Sequence, residues 1–296
     1  MKKGKTALYT GFLLVFVFVL ISTSCGGCSG GNPGIKNEFD FDNKVWVDPS
    51  AQVTQLTGGE TLLPYSGGSK KLPGTPYSYD TWEWSEGKKV SNSKFIWYGA
   101  NQGGGGAFRA EWNDYLHARL GFYWGHGGEY TKYKNMYVDY NYNRSDNVST
   151  PTGFIGVYGW FLSPSASISS EKVIEYYITD DWFWDRQLDY MQIVGGAETV
   201  KELGSFTVDG AVYKIYQSTR VYEPSVFGQT TFTQIFSVRQ GRRTYGTISV
   251  TEHFNAWRKY LKLDSIYEVT FFVEAAFDDI GNGYLDLTYL YLSQET

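Results

Sequence analysis

The sequence contains few of the residues that bind metals or cross-link a chain. Its 296 residues include only 2 cysteines and 3 histidines, and the cysteines, Cys25 and Cys28, lie close together near the N-terminus. This supply is too small to favour a His/Cys metal site, and it leaves the rest of the chain without a disulfide. We therefore expect no metal ion and no cofactor, and we expect stability to come from the hydrophobic core alone.

Positive charge is also in short supply. The chain has 26 Lys and Arg residues against 31 Asp and Glu residues, which gives a formal net charge of −5. A nucleic-acid-binding domain normally carries a basic patch or stripe, so this balance argues against a nucleic-acid partner. A hydrophobic content of 42% excludes global disorder, and the length favours one large domain with an appendage.

Aromatic residues and glycine, by contrast, are abundant. There are 25 Tyr, 19 Phe, 10 Trp and 34 Gly residues. This composition suits short, twisted antiparallel strands, and any ring left exposed suits a planar or ring-shaped ligand. Most of the rings are expected to pack in the core.

The N-terminus has the pattern of an export signal. Three lysines within the first five residues precede an uninterrupted apolar run over 12–21, which is too short for a transmembrane helix and typical of a signal peptide. Small residues at 22–24 lead into Cys25, which resembles the lipobox of bacterial lipoproteins, where this cysteine is lipidated and becomes the mature N-terminus. Ser22 departs from that pattern, since leucine is usual there. The alternative is an ordinary secretory signal with an incidental cysteine.

Composition divides the chain into three parts. We expect a signal peptide over 1–24, a lipidated cysteine with a flexible tether and N-terminal extension over 25–75, and a folded domain over 76–296. The protein is then exported and lipid-anchored to the bacterial cell envelope, at the cell surface, or is otherwise secreted. We expect it to meet a membrane only through this anchor and to be a monomer.

Beyond the extension, short segments that alternate apolar and polar residues are separated by glycine, asparagine and aspartate. This period of two predicts the strands of an all-β sandwich or barrel. It is clearest over 107–112, 212–216, 232–238 and 267–273. The stretch 251–261 has a helical period instead, since Phe254, Trp257 and Leu261 share one face. The sequence predicts a single amphipathic helix there, with Thr251 as its N-cap.

Two glutamates are candidates for chemistry. Glu175 interrupts the β-forming run over 173–178, and Glu274 interrupts another over 271–277. A lone charge in such a strand is costly unless its face is polar or functional. Two carboxylates on facing strands of one cleft are what a glycosidase needs, one as nucleophile and one as acid and then base. The alternative is that each glutamate points outward from a solvated strand face.

Several segments around these glutamates follow one another in a recognisable order. They are Val-Tyr-Gly-Trp at 157–160, Ile-Glu-Tyr-Tyr-Ile at 174–178, Val-Tyr-Lys-Ile-Tyr at 212–216, 219–228, 231–240, His-Phe-Asn-Ala-Trp at 253–257 and Val-Glu at 273–274. In order and spacing they resemble family 11 glycoside hydrolases, the endo-β-1,4-xylanases. Upstream, 77–82 and 105–112, followed by Trp124, match the first strands of the family more loosely.

This resemblance implies a fold and an activity. The fold is an all-β jelly-roll sandwich of two curved antiparallel sheets, with a single α-helix and a concave substrate cleft. The activity is endo-acting, retaining hydrolysis of the β-1,4-xylosidic backbone of xylan or xylo-oligosaccharides, with Glu175 as nucleophile and Glu274 as acid/base. An ionised Glu175 is expected to keep Glu274 protonated near neutral pH. The residues implied to bind substrate are Trp82, Tyr158, Trp160, Tyr177, Arg220, Pro224 and Gln234.

The chain departs from the family's pattern around the second glutamate. Ala275 and Ala276 stand where Gly-Tyr is usual, and His117 stands where Asn or Asp lies beside the acid/base. We expect His117 to tune the pKa of Glu274; the alternative is an exposed strand residue. Tyr267 precedes Glu274 by seven residues instead of six, which a bulge or a shifted alignment explains. These departures leave a rival function open: a non-catalytic, or other β-glucan-directed, glycan-binding lipoprotein on the same fold.

Overall fold

The computed structural model describes residues 60–84, 93–112, 115–129, 132–145, 152–162, 173–183, 200–276 and 283–295. All of them lie in one compact unit, Phe39–Thr296. The signal peptide, Cys25 and the glycine-rich tether that the sequence predicts lie outside the described residues. Within these ranges, no helix has the length and apolar character needed to cross a membrane.

The described residues form fifteen strands and one α-helix. The first eight strands are β1 Thr61–Leu63, β2 Lys70–Lys71, β3 Ser78–Trp84, β4 Lys94–Trp97, β5 Phe108–Trp112, β6 Tyr115–Glu129, β7 Asn135–Arg144 and β8 Thr152–Leu162. The others are β9 Val173–Trp182, β10 Lys201–Val208, β11 Ala211–Ser225, β12 Gly228–Arg239, β13 Tyr245–Ser249, β14 Ser265–Ala276 and β15 Gly283–Glu295, and the helix, α1, is Val250–Trp257.

The strands make two sheets. The six-stranded sheet has the order β1-β4-β5-β15-β7-β13, and the nine-stranded sheet has the order β10-β11-β12-β9-β8-β14-β6-β3-β2. The predicted all-β sandwich with a single helix is therefore confirmed for the described part of the chain. One pairing differs from the expected antiparallel pattern: β9 and β12 run parallel, because the chain leaves β9, forms the β10–β11 hairpin and returns through β12.

The hydrophobic core lies between the two sheets and beside α1. Alternate residues point into it, such as Val138 on β7 and Val157 on β8. The helix contributes Phe254 and Trp257, both fully buried, which confirms these two positions of the predicted apolar face. The helix ends at Trp257, so Leu261, the third predicted position, packs against the core from beyond it. The indole Nε1 of Trp257 donates a 2.9 Å hydrogen bond to Ser237 Oγ on β12, so the helix is tied to the core side of the nine-stranded sheet.

The helix begins before the predicted cap. Ser249 is the N-cap residue, and it is held by Asp209, which accepts hydrogen bonds from Ser249 N at 2.7 Å and Ser249 Oγ at 2.6 Å. Thr251 lies inside the helix, and its Oγ1 accepts a 2.9 Å hydrogen bond from the backbone N–H of Met136 on β7. The expectation that Thr251 caps the helix is therefore wrong, because a strand distant in sequence uses its hydroxyl instead.

Part of the predicted N-terminal extension belongs to the fold. β1 pairs with β4, and β2 pairs with β3, although both lie before residue 76. Asp80 on β3 accepts hydrogen bonds from Ser66 Oγ at 2.7 Å and from Gly68 N at 2.9 Å. The boundary at 76 therefore lies too late, since residues from 60 onward are bonded into the two sheets.

Strands β8 and β9 are buried on both faces. Val157 and Tyr176 belong to the core between the sheets, whereas Tyr158 and Tyr177 belong to a second cluster on the opposite face. We call this second cluster the cleft layer; it consists of Phe154, Tyr158, Trp160, Leu162, Val173, Tyr177, Tyr216, Phe232, Phe236, Val238 and Phe272. Bulges in the pairings of β8, β11 and β14 bend the nine-stranded sheet.

Candidate active site

Glu175 lies on β9 with its side chain on the cleft face, where it is 7% exposed. Three side chains donate hydrogen bonds to its carboxylate: Tyr158 Oη to Oε1 at 2.7 Å, Tyr177 Oη to Oε1 at 3.2 Å and Gln234 Nε2 to Oε2 at 2.6 Å. Tyr177 reaches Oε1 because residues i and i+2 of a strand share a face. Gln234 is the direct partner of Glu175 across the parallel β9–β12 pairing. Three of the predicted substrate residues thus converge on one carboxylate.

Two opposing effects act on the ionisation of Glu175. Burial raises its pKa above the ordinary value, while the donated hydrogen bonds and the positive charge of Arg220 act in the opposite direction. The amide of Gln234 is fixed in turn, because Ser218 Oγ donates a 2.8 Å hydrogen bond to its Oε1. The surroundings therefore support the ionised carboxylate, but burial moves its ionisation to higher pH.

Glu274 lies on β14 and is 5% exposed. Its direct cross-strand partners are His117 on β6 and Phe154 on β8. Tyr115, two residues before His117, donates a 3.1 Å hydrogen bond from Oη to Glu274 Oε1. The structure therefore places His117 beside the second glutamate, on the same face of the sheet.

His117 is buried within the cleft face. Its ring packs edge-on against Tyr158 with 4.6 Å between centroids, and it also contacts Phe272. Burial, together with the charge of Arg119, lowers the pKa of His117 well below its ordinary value. Its Nε2 is buried without a hydrogen-bond partner among the residues that the structure describes. At neutral pH any effect of His117 on Glu274 therefore comes from a neutral ring.

The two glutamates face one cleft, on strands that flank β8. Burial is the largest cause of the raised pKa of Tyr115, and the charges of Glu274 and Glu175 both add to it. The pKa of Arg220 is raised: burial acts against this shift, and the charges of Glu175 and Glu274 contribute to it. Tyr115 on β6 and Arg220 on β11 thus act on both carboxylates from strands on either side of them in the same sheet. In the described ranges, no group of three or more His, Cys, Asp and Glu side chains could hold a metal ion.

The two predicted tryptophans differ in their environment. Trp82 on β3 is 41% exposed and is the direct partner of His117, so its ring faces solvent at the cleft. Trp160 is buried in the cleft layer, where its ring packs edge-on against Phe232 with 4.9 Å between centroids. Trp160 therefore supports the cleft from within, whereas Trp82 offers a surface to a ligand.

Arg220 and Pro224 lie near the end of β11, in the hairpin that β11 forms with β12. A bulge separates Arg220 from Glu223, and Arg220 Nη2 lies 3.3 Å from Glu223 Oε2. Pro224 is exposed near the hairpin end. At the tip, Val226 and Phe227 pack against the cleft layer. The hairpin therefore leans towards the cleft face, and Arg220 is the residue that it directs at the glutamates.

Sequence reasoning missed Tyr115, Ser218 and Phe272. Each lies two residues from a predicted site residue on the same strand, so the period of two contained the signal. Phe272 packs against three cleft residues at once, His117, Tyr158 and Tyr177. Ala275, in contrast, belongs to the core between the sheets, on the face opposite Glu274. The alanine that replaces the family's usual glycine at position 275 therefore does not line the cleft.

Comparison with known proteins accounts for this arrangement. Residues 78–285 match the family model described as glycosyl hydrolases family 11. The chain belongs to this family. The match covers both glutamates and every cleft residue described above.

Known endo-1,4-beta-xylanases resemble the chain over most of its length. Endo-1,4-beta-xylanase C of Fibrobacter succinogenes is 32% identical over 271 residues, which are 90% of this chain and 39% of that protein. Endo-1,4-beta-xylanase S20 of Neocallimastix patriciarum is 32% identical over 245 residues, 80% of this chain and 64% of that protein. The chain thus spans less than two thirds of the length of these two relatives. A crystal structure of a cysteine double mutant of ENZbleach xylanase has a TM-score of 0.70 at 42% identity and covers 84% of this chain and 92% of that chain.

Proposed function

We propose that the chain is an endo-β-1,4-xylanase that cleaves the backbone of xylan with retention of configuration. The observation that carries this proposal is the carboxylate of Glu175, which is buried, held by three donated hydrogen bonds and placed in the same cleft as Glu274. Retaining glycosidases use two carboxyl groups on one cleft in this way. Membership of family 11 and the names of the relatives support the same activity.

Glu175 acts as nucleophile and Glu274 as acid/base. In the first step a carboxylate oxygen of Glu175 bonds to the anomeric carbon, the glycosidic C–O bond breaks, and the proton of Glu274 passes to the leaving oxygen. In the second step Glu274 takes a proton from water, the water oxygen bonds to the anomeric carbon, and the ester bond to Glu175 breaks. Two inversions give retention, and both glutamates return to their starting states.

The hydrogen bonds to Glu175 serve both steps. They fix the direction of its attacking oxygen, and they stabilise the carboxylate again when it leaves the sugar. Substrate binding does not need charge, because xylan is a chain of sugar rings that stack on aromatic faces. Trp82 supplies such a face at the edge of the cleft, beside His117.

The test is hydrolysis of xylan by the purified protein. We expect reducing sugars to be released, the first product to have the β configuration by proton NMR, and Glu175→Gln to abolish turnover. Glu202→Gln is the matched control, because Glu202 is an exposed carboxylate paired with Lys214 on β11. Tight xylan binding without any turnover would instead support the rival glycan-binding function. Hydrolysis of another β-glucan in a polysaccharide panel, with xylan left intact, would contradict the substrate assignment.

We also propose that Cys25 is lipidated and anchors a monomeric enzyme to the cell envelope. The support is the sequence alone: the apolar run over 12–21, the small residues before Cys25 and the glycine-rich segment after it. In a bacterial host Cys25→Ser should move the protein from the membrane fraction to the soluble exported fraction with unchanged specific activity. The same fractionation for both proteins would overturn the anchor, and light scattering that gives a dimer mass would overturn the monomer.

A further inference from the structure

A buried ionic network lies on the cleft face, on the side of β8 that is opposite to Glu175. Arg119 on β6 donates from Nη2 to Asp80 Oδ2 at 2.7 Å, from Nε to Glu268 Oε2 at 3.1 Å and from Nε to the Tyr123 hydroxyl at 2.9 Å. Asp80 and Arg119 are direct partners across the β3–β6 pairing. We call Asp80, Arg119, Tyr123 and Glu268 the Arg119 network.

A bulge on β14 brings Glu268 into this network. The register of β14 shifts between Ile266 and Glu268 against β6, and between Ile266 and Thr270 against β8. The backbone carbonyl of Glu268 accepts a 2.8 Å hydrogen bond from Tyr176 Oη on β9. This hydroxyl passes Gly159 on β8, where a Cβ atom would lie 2.2 Å from the Glu268 carbonyl oxygen. The bulge is thus bonded to β9, across the glycine of the intervening strand β8.

The side chain of Glu268 is 0% exposed, and Arg119 is buried as well. Removing such charges from water costs several kcal/mol per ion unless fixed partners offset it. Apolar residues of similar size would join these strands without the desolvation cost of buried charges. The stability of the sheet alone therefore does not explain the cluster.

Arg119 also contacts Tyr158. Its guanidinium carbon lies 5.1 Å from the centroid of the Tyr158 ring, and the hydroxyl of the same ring donates the 2.7 Å hydrogen bond to Glu175 Oε1. Thr270 Oγ1 on β14 donates to the Tyr158 carbonyl at 3.0 Å, so the backbone of Tyr158 is fixed too. One ring therefore connects the Arg119 network to the carboxylate.

We propose that Arg119 is a positioning residue that acts on Glu175 through the ring and hydroxyl of Tyr158. The proposal deepens the proposed function and rests on it. A cation against a phenol ring draws electron density from it, so the hydroxyl becomes a stronger hydrogen-bond donor. A stronger donor favours the ionised carboxylate, and Arg119 therefore lowers the pH at which Glu175 becomes an active nucleophile.

Other titratable, charged and hydrogen-bonding groups also face Tyr158 or Glu175 and influence their ionisation. They are Tyr115, His117 and Arg119 on β6, Glu268 and Glu274 on β14, Tyr177 on β9, Gln234 on β12 and Arg220 on β11. Burial lowers the pKa of His117, so its ring is neutral at neutral pH, and the charge of Glu268 opposes that of Arg119. The pKa of Tyr158 is raised by burial first and by Glu175 next, while Arg119 lowers it. The direction of the effect therefore depends on the charge of Arg119.

Three variants separate this charge from the packing. Arg119→Lys keeps the charge, Arg119→Met removes it, and the triple variant Asp80→Asn, Arg119→Met, Glu268→Gln removes all charges without leaving one unpaired. The matched control is Arg144→Met with Asp181→Asn, since Arg144 on β7 lies 2.8 Å from Asp181 and 5.0 Å from the Phe183 ring. It removes a similar pair of charges beside an aromatic ring, away from Glu175. Thermal unfolding shows which variants are folded. If Arg119→Met does not fold, Arg119→Lys and the triple variant test whether the charge of Arg119 acts on Glu175.

Two measurements are made on each folded protein: the pH profile of kcat/KM on xylan fragments, and the carbon NMR titration of Glu175 in chains with labelled glutamate, assigned with Glu175→Gln. We expect the acid limb and the titration of Glu175 to move up by roughly half a pH unit in Arg119→Met. The shift should be smaller in the triple variant, which also removes the opposing charges of Asp80 and Glu268, smaller in Arg119→Lys, and absent in the control. A folded triple variant with the wild-type titration would overturn the proposal. The NMR titration needs no turnover, so it decides this inference even if the protein does not hydrolyse xylan.

Discussion

At the scale of single residues, Glu175 shows the cost of placing a charge in an aromatic layer. Burial raises its pKa in the folded protein, in spite of three donated hydrogen bonds. The folded state therefore binds a proton at Glu175 more readily than the unfolded chain does. By linkage, the stability from this group is fully present below the unfolded pKa and is lost as the pH rises through the folded pKa. Glu175 thus weakens the fold at neutral pH, where its charge is needed.

Glu175→Gln should therefore stabilise the protein at neutral pH. The new amide can replace the carboxylate, because its oxygen still accepts from the two tyrosines, and Gln234 can turn so that its own oxygen accepts from the new NH2 and its NH2 donates to Ser218. Thermal unfolding at pH 7 should show a higher Tm than the wild type, by about 2–4 °C for each kcal/mol recovered.

The difference in Tm should shrink well below the ordinary pKa of glutamate, where wild-type Glu175 is protonated in both states. Glu202→Gln is again the control, because the exposed Glu202 has no such burial. A Tm difference that is equal at both pH values would show that the effect of Glu175→Gln comes from packing and not from charge.

At the scale of structural elements, the bulge on β14 organises the cleft. It places Glu268 beside Arg119, and it frees a carbonyl that Tyr176 reaches from β9 across β8. This crossing requires glycine at 159, since a Cβ there would lie 2.2 Å from Glu268 O and 2.5 Å from Tyr176 Oη. The hydrogen bond between β9 and β14 therefore depends on the absence of a side chain at Gly159 on β8.

Gly159→Ala should destabilise the protein by about 1–3 kcal/mol or more, because a backbone carbonyl cannot yield as a flexible side chain can. Tyr176→Phe in the same chain should recover part of this loss by removing the hydroxyl, and urea unfolding of the four chains of the cycle measures the recovery. Gly204→Ala is the control: its Cβ would meet the hydroxyl of Tyr260, the end of an exposed side chain. Equal losses at positions 159 and 204 would contradict this account.

The sequence predicts some features of the strands and the helix better than others. The strands, the single helix and the neighbourhood of Glu175 with Tyr177 follow from periods of two and 3.6, which are local. The hydroxyl of Thr251 bonds to Met136, and the Arg119 network joins residues from three strands, so no local period contains them. The spacing of Tyr267 left a bulge and a shifted alignment as alternatives, and the structure shows a bulge there. What the bulge brings together depends on packing between distant strands.

At the scale of the whole molecule, the N-terminal segment completes both sheets. β1 extends the six-stranded sheet and β2 the nine-stranded sheet. Between them, Ser66 and Gly68 bond to Asp80, the partner of Arg119. The N-terminal segment is therefore connected to the cleft face through the carboxylate of Asp80.

A chain of residues 39–296 should consequently fold and act as the full protein does, whereas a chain of 76–296 should lose stability. The loss includes two edge strands and the hydrogen bonds to Asp80. Each hydrogen bond to this carboxylate is worth about 1.5–3 kcal/mol. Thermal unfolding and xylan hydrolysis of both chains provide the measurement. The same Tm for both would show that residues 60–75 add nothing to the fold.

The burial of β9 on both faces also bears on how this strand finds its place during folding. Nine consecutive residues from Val173 are buried, so hydrophobicity alone does not distinguish one face from the other. A slip by one residue would exchange the two faces completely. It would also carry the charge of Glu175 into the apolar space beside α1, away from Tyr158, Tyr177 and Gln234. The side chain proposed to attack the sugar thereby also penalises the misaligned strand and helps select the native alignment of the sheet.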